Sequence, residues 1–182
     1  MRIRLTDYFR RLYLDGEADR LDPIQAVGLF YEFSSLAPVG PDGDQMIRKL
    51  AQRLVAFDLL DPAAQLLQHQ VDNRMRGVGK AVIAADLARI YLMDKRPDRA
   101  LAAISSTRQP SLPAEIVLER RLLEAAAYLE LGRHDHAVEL LQPLDVAEAR
   151  SLLAQAYWGD RRWTEARQAD RARPAEPGIG AG

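Results

Sequence analysis

Residues 51–67 read AQRLVAFDLLDPAAQLL, residues 88–104 read ARIYLMDKRPDRALAAI, and residues 125–141 read AAAYLELGRHDHAVELL. Each stretch begins 37 residues after the one before. The recurrence extends beyond them. Ala26, Ala63, Ala100 and Ala137 form one column of small residues, with Ala166 following 29 residues after the last. Ala51, Ala88, Ala125 and Ala154 form a second column. Leu54, Tyr91, Tyr128 and Tyr157 lie three residues later, and Phe30, Leu67, Ile104 and Leu141 stand four after the first column. A small residue at one place on each helix lets two backbones approach closely, and the bulky residue beside it fills the remaining space. One helix pair cannot cover its own apolar faces, whereas several stacked pairs can.

Local signals agree with helix nearly throughout. The chain holds 28 Ala, 26 Leu and only 11 Gly, a composition rich in helix formers. Leu5, Tyr8, Phe9 and Leu12 follow the spacing of an amphipathic helix that ends near Asp15–Gly16. Asp22–Pro23 and Asp61–Pro62 each join an N-capping carboxylate to a proline that loses no hydrogen bond in the first turn, and Pro41, Pro97 and Pro113 mark further starts. The spacing predicts helices over 4–14, 23–36, 42–57, 62–75, 79–94, 97–106, 113–131, 134–142, 146–158 and 162–172. Turns within pairs are read at Leu131-Gly132-Arg133-His134 and Trp158-Gly159-Asp160-Arg161. The segment 174–182, with two Pro and three Gly, is expected to be disordered. The domain reading is one all-α helical repeat unit over 1–173 followed by that tail, with pairs at about 4–36, 42–75, 79–106, 113–142 and 146–172.

These columns resemble the tetratricopeptide repeat family. Ala125, Tyr128, Gly132, His134, Ala137 and Leu141 match its pattern, as do Ala88, Tyr91, Pro97, Ala100 and Ile104, while Trp163 and Ala166 support a last unit. The departures are spacings of 37 and 29 where the family has about 34, Leu54 in place of an aromatic, Asp170 at a bulky position and Glu124 where Leu is preferred. The resemblance covers about 40–173 and implies a right-handed α-solenoid of antiparallel helix pairs whose function is to bind another protein. LDPIQAVGLFYEF and DLLDPAAQLLQHQVDNR also resemble, more weakly, the C-terminal portion of long uncharacterised bacterial repeat proteins.

In that family the first helix of each pair lines a concave groove. Transfer by register places Arg48, Gln52 and Val55, then Val82, Ala85, Arg89 and Leu92, then Leu122, Ala126 and Leu129, then Ser151, Gln155 and Trp158 on the groove. The middle of this surface reads as apolar with one strong cation, Arg89. The expected ligand is an amphipathic helix or extended segment carrying a carboxylate. A chaperone tail is disfavoured, because Arg48 and Gln52 are imperfect substitutes for the family's Lys and Asn clamp and Ala85, Leu122 and Ala126 break it. Two other roles stay open: a C-terminal structural or self-association segment of a longer repeat protein, and a non-catalytic helical appendage of an enzyme.

Candidate chemistry is sparse. The chain has no cysteine, which excludes thiolate metal sites and thiol nucleophiles. His134 and His136 are two apart on a helix, about 200° around the axis, so packing or solvation is expected rather than metal ligation. His69 is assigned a surface or helix-junction role. Gly77-Val78-Gly79-Lys80 lacks the flanking Gly and Ser/Thr of a phosphate loop, since Arg74 and Ala81 stand there, and reads as an inter-repeat turn. The carboxylates, as with Glu115 and Glu119 beside Arg120 or Asp98 beside Arg99, read as solvated faces and surface ion pairs. No serine is matched with a base and an orienting group, so no enzyme, cofactor or metal is expected.

The net charge is −1 with 28% charged residues, which argues against a nucleic-acid partner. Arg2, Arg4, Arg10 and Arg11 surround an apolar stripe that could rest on a membrane surface, but docking onto helix 23–36 is the preferred reading. No stretch reads as a signal peptide or a membrane span, so no integral membrane association is expected and the default compartment is the cytoplasm.

Overall fold

A computed structural model describes residues 2–38, 40–73 and 76–159. All regular secondary structure among them is helical. Nine α-helices follow one another there: α1 Arg2–Leu14, α2 Pro23–Glu32, α3 Pro41–Ala56, α4 Leu60–Asn73, α5 Gly77–Met93, α6 Pro97–Ser106, α7 Ala114–Glu130, α8 His134–Leu141 and α9 Ala147–Gly159. The expected helix 162–172, with Trp163, Ala166 and Asp170, lies outside the described residues. So do the tail 174–182 and the side chains of Arg2 and Arg4.

The starts follow from the residues found there. Asp22 Oδ1 accepts the backbone N–H groups of Ile24 at 3.0 Å and Gln25 at 3.4 Å, with Pro23 in the first turn. Pro41 and Pro97 likewise occupy first turns. Two boundaries differ from expectation. The helix begun at Pro23 stops at Glu32 and gives way to a 3-10 turn at Ser34–Leu36. The fourth starts at Leu60, so Asp61 lies inside its first turn, where Oδ2 accepts from Gln65 Nε2 at 2.7 Å.

Three connections repeat. The links α3–α4, α5–α6 and α7–α8 are each three residues long. Each places one residue in the left-handed region: Asp58 at φ 60°, Lys95 at φ 57° and Gly132 at φ 70°. In each, the next residue's N–H returns to the carbonyl five residues back, as Leu59 to Leu54 at 2.9 Å, Arg96 to Tyr91 at 2.8 Å and Arg133 to Tyr128 at 2.8 Å. The left-handed residue itself donates to the carbonyl three back. This is the Schellman closure of a helix C-terminus, built three times in the same register.

From α3 onward each helix packs on the next in sequence, and α3 also touches α5, α5 touches α7 and α7 touches α9. The recurring columns lie at these contacts. Ala26, Ala63, Ala100 and Ala137 are buried, as are Phe30, Leu67, Ile104 and Leu141. Ala51, Ala88 and Ala125 are buried while Ala154 is half-buried. Replacing Ala137, which is 0% exposed, with Leu is expected to overpack its contact and lower stability by roughly 1–3 kcal/mol. A melting midpoint equal to wild type would show that the site has room.

The apolar core falls into two clusters. One runs from Phe9 to Ile104 and takes in Ala127, and the other gathers Leu122, Ala125, Ala137, Leu141 and Ala149. Helix α7 therefore faces both. At the other end, Phe9 and Tyr13 of α1 pack on Phe30 with ring centroids 5.9 and 5.4 Å away, and the Tyr13 hydroxyl donates to Ala26 O at 2.8 Å. Burial pushes the Tyr13 phenol up to about 12. The expected docking is on 23–36; α1 touches α2 through Phe30 and Ala26 but lies mainly along α3. There Arg10 pairs with Asp42 at 2.7 Å and Lys49 Nζ donates to Leu14 O at 2.6 Å. Arg53 adds bonds to the carbonyls of Ala18, Asp19 and Leu21, holding the 3-10 turn Glu17–Arg20 against α3.

Candidate partner-binding groove

Three adjoining hollows run across α3, α5, α7 and α9. The first, about 550 Å³, opens between the N-terminal halves of α3 and α5, with Arg48, Gln52 and Val82 in its wall. The second, about 250 Å³, shares Arg48 and Gln52 with the first and adds Val55, Asp86 and Met93. The third, about 340 Å³, shares Arg89 with the second and is lined by Leu118, Leu122, Ala126 and Leu152 among others. The three hollows therefore adjoin, bounded by these shared side chains.

Of the positions expected on the groove, Arg48, Gln52, Val55, Val82, Arg89, Leu122 and Ala126 line these hollows. The others do not. Ala85 is 0% exposed and is packed away from any partner. Leu92 and Leu129 are half-buried against the two core clusters. Ser151, Gln155 and Trp158 are exposed on α9 and line none of the three. Leu122 is only 7% exposed, so it serves chiefly as core and only its edge reaches the groove.

The expected apolar strip with one cation requires correction. Asp86 of α5 sits in the middle of the groove and accepts from Arg48 Nε of α3 at 2.6 Å and from Arg89 Nη1 at 3.1 Å. Arg89 in turn pairs with Glu119 of α7. A chain of alternating charge thus links three helices, and Arg89 is neutralised where it stands. Sequence reading missed Asp86 and Glu119, although a spacing signal was present: Asp86 lies four residues after Val82 and three before Arg89, and Glu119 lies three before Leu122.

Arg120 also requires correction. It is 5% exposed, not a surface partner of Glu115 and Glu119. Nη1 donates to Ala81 O of α5 at 2.9 Å and Nη2 to Ile104 O of α6 at 2.7 Å, and both reach Thr107 Oγ1 at 3.1 Å. Burial is the main influence on its pKa and lowers it, against the raising effect of Glu124. The residue fastens α7 to the pair before it.

The remaining candidates are structural. His134 rests against Gly159, where an added β-carbon would lie 2.2 Å from its Cε1. His136 stacks on Tyr128 at 5.2 Å, and His69 meets Tyr31 edge-on at 6.1 Å. No cluster of three or more His, Asp or Glu side chains suited to a metal ion occurs among the described residues. Gly77–Lys80 forms the opening turn of α5 rather than a separate inter-repeat turn. Gly159 still belongs to α9, and the rest of the turn expected at 158–161 lies outside the described residues. No described helix is long and apolar enough to cross a membrane.

The class defined so far is an all-α chain with a groove across alternate helices. Compared with protein-family models, curated proteins and solved structures, the chain matches none.

Proposed function

We propose that this chain is a tetratricopeptide-like right-handed solenoid of antiparallel helix pairs that binds a peptide or helix of another protein along the groove of α3, α5, α7 and α9. The observation that carries the reading is the contact series α3–α5–α7–α9 beneath three adjoining hollows. In a solenoid the first helices of successive pairs stand side by side in this way, and their shared face is the surface open to a ligand. The recurring Schellman turns give each pair the same closure, and the buried alanine columns set the close approach between helices. The role is binding without chemistry. Half-buried apolar side chains supply contact area, while the charge chain fixes register and orientation.

The test is crosslinking capture of partners from the native cell, with the crosslinked positions mapped by mass spectrometry. Wild type should crosslink through α3, α5, α7 and α9, and a folded Val82→Glu/Met93→Glu variant should lose the partner. Ala102→Glu on α6, whose side chain is exposed and lines none of the three hollows, should retain it. Equal capture by the groove variant would move the interface elsewhere.

A further inference from the structure

Resting on the groove reading, we infer that the segment seated there is cationic: it places a Lys or Arg in the hollow between α7 and α9, next to an apolar side chain in the adjoining hollow between α3 and α5. Most of the positive charge in the groove is already paired within the chain. Among the described residues the three hollows include three cations, Arg48, Lys49 and Arg89. Arg48 and Arg89 are paired with Asp86, and Arg89 also with Glu119, whereas Lys49, which lines only the first hollow, donates to the neutral Leu14 O. In the second and third hollows a ligand carboxylate would meet, among the described residues, only arginines that already hold a carboxylate. That reverses the carboxylate-bearing ligand expected from sequence.

The carboxylates are distributed differently. Glu115, Glu119 and Glu148 ring the third hollow around Leu118 and Leu152, with Arg89 the one cation lining it among the described residues. Glu119 is held by Arg89, whereas Glu115 and Glu148 are exposed and have no ion pair among the described residues. An acidic rim over an apolar floor suits Lys or Arg better than any other side chain. The aliphatic stem covers Leu118 and Leu152 while the charged head stays at the wet edge beside Glu115 and Glu148. The second hollow, lined by Val55, Leu67, Ile90 and Met93, takes the neighbouring apolar side chain. The ligand is thereby given a direction, its basic residue toward α9 and its apolar anchor toward α3.

The experiment selects a phage-displayed library of random peptides on the whole chain. The best binders are then measured by fluorescence anisotropy against wild type, Glu115→Gln/Glu148→Gln and Val82→Glu/Met93→Glu, each checked for unchanged helicity and melting. Selected peptides should carry Lys or Arg close to a Leu-like residue, and the Gln variant should weaken them about fivefold, the size expected for two rim charges. Peptides without basic preference that lose binding only to Val82→Glu/Met93→Glu would uphold the groove and overturn the cationic assignment. A library yielding no binders, or binders indifferent to both variants, would overturn the groove reading and this inference with it.

Discussion

Arg120→Ala is expected to lower stability by about 3–5 kcal/mol, seen as a fall of about 10 °C in melting temperature. The guanidinium is surrounded by oxygen acceptors: the carbonyls of Ala81 and Ile104 and the hydroxyl of Thr107. A buried cation is costly unless its donors are met, and here charge-assisted bonds from one side chain reach three residues on two other segments. Truncation to Ala removes these donors together and leaves a cavity. Arg120→Met keeps most of the volume, so it should recover roughly half of the loss. Hydrogen exchange gives a second readout, because the guanidinium ties α7 to α5 and α6. Amides of α7, α8 and α9 should lose more protection than those of α3 and α4. An Arg120→Met protein that melts like wild type would mean that the hydrogen bonds only balance the desolvation of the charge.

That arginine also marks where sequence reading stops. The helices were legible because proline, Asp–Pro pairs and the 37-residue recurrence act locally, and the buried columns followed from the same recurrence. The three turns were legible only in part. Gly132 announces a left-handed residue, whereas Asp58 and Lys95 adopt that conformation without glycine because the Schellman bonds around them hold it. Arg120 was assigned to the surface from its neighbours Glu115 and Glu119. Yet Ile116, Leu123 and Ala127 fall on the same stripe of α7, and a cation set among them is on the side facing α5 and α6. The groove charges were hidden for another reason. Asp86 and Arg89 stand at local i, i+3 spacing, but Arg48 and Asp86 are 38 residues apart and Arg89 and Glu119 are 30 apart, so no local spacing gives those two links. Register found which helices line the depression. Only packing could show that Arg48 and Arg89 already share carboxylate partners.

Gly43→Ala and Gly28→Ala are expected to change stability in opposite directions, although each puts a methyl group inside a helix. Alanine is favoured over glycine in a helix by about 1 kcal/mol, so propensity alone predicts a gain at both. At Gly28 in α2 an added β-carbon meets nothing within 4 Å, and a gain of about 0.5–1 kcal/mol should appear. At Gly43, in the first turn of α3, the same atom would fall 2.0 Å from the carbonyl oxygen of Pro38 and 3.1 Å from its carbon. Those are backbone atoms, which cannot swing aside as the end of a side chain can. Either the connection into α3 or the helix itself must shift, and the net loss should be roughly 2–3 kcal/mol. Urea unfolding of the two variants beside wild type checks both signs, and a Gly43→Ala midpoint at or above wild type would mean that Pro38 yields easily. The consequence reaches the groove through α3. Its first turn is set by this contact, and two turns further on the same helix carries Arg48 to Asp86 and Gln52 to the wall of the first two hollows. A Gly43→Ala protein that folds with α3 displaced should therefore bind selected peptides more weakly than its stability loss alone explains, whereas Gly28→Ala should bind them as wild type does.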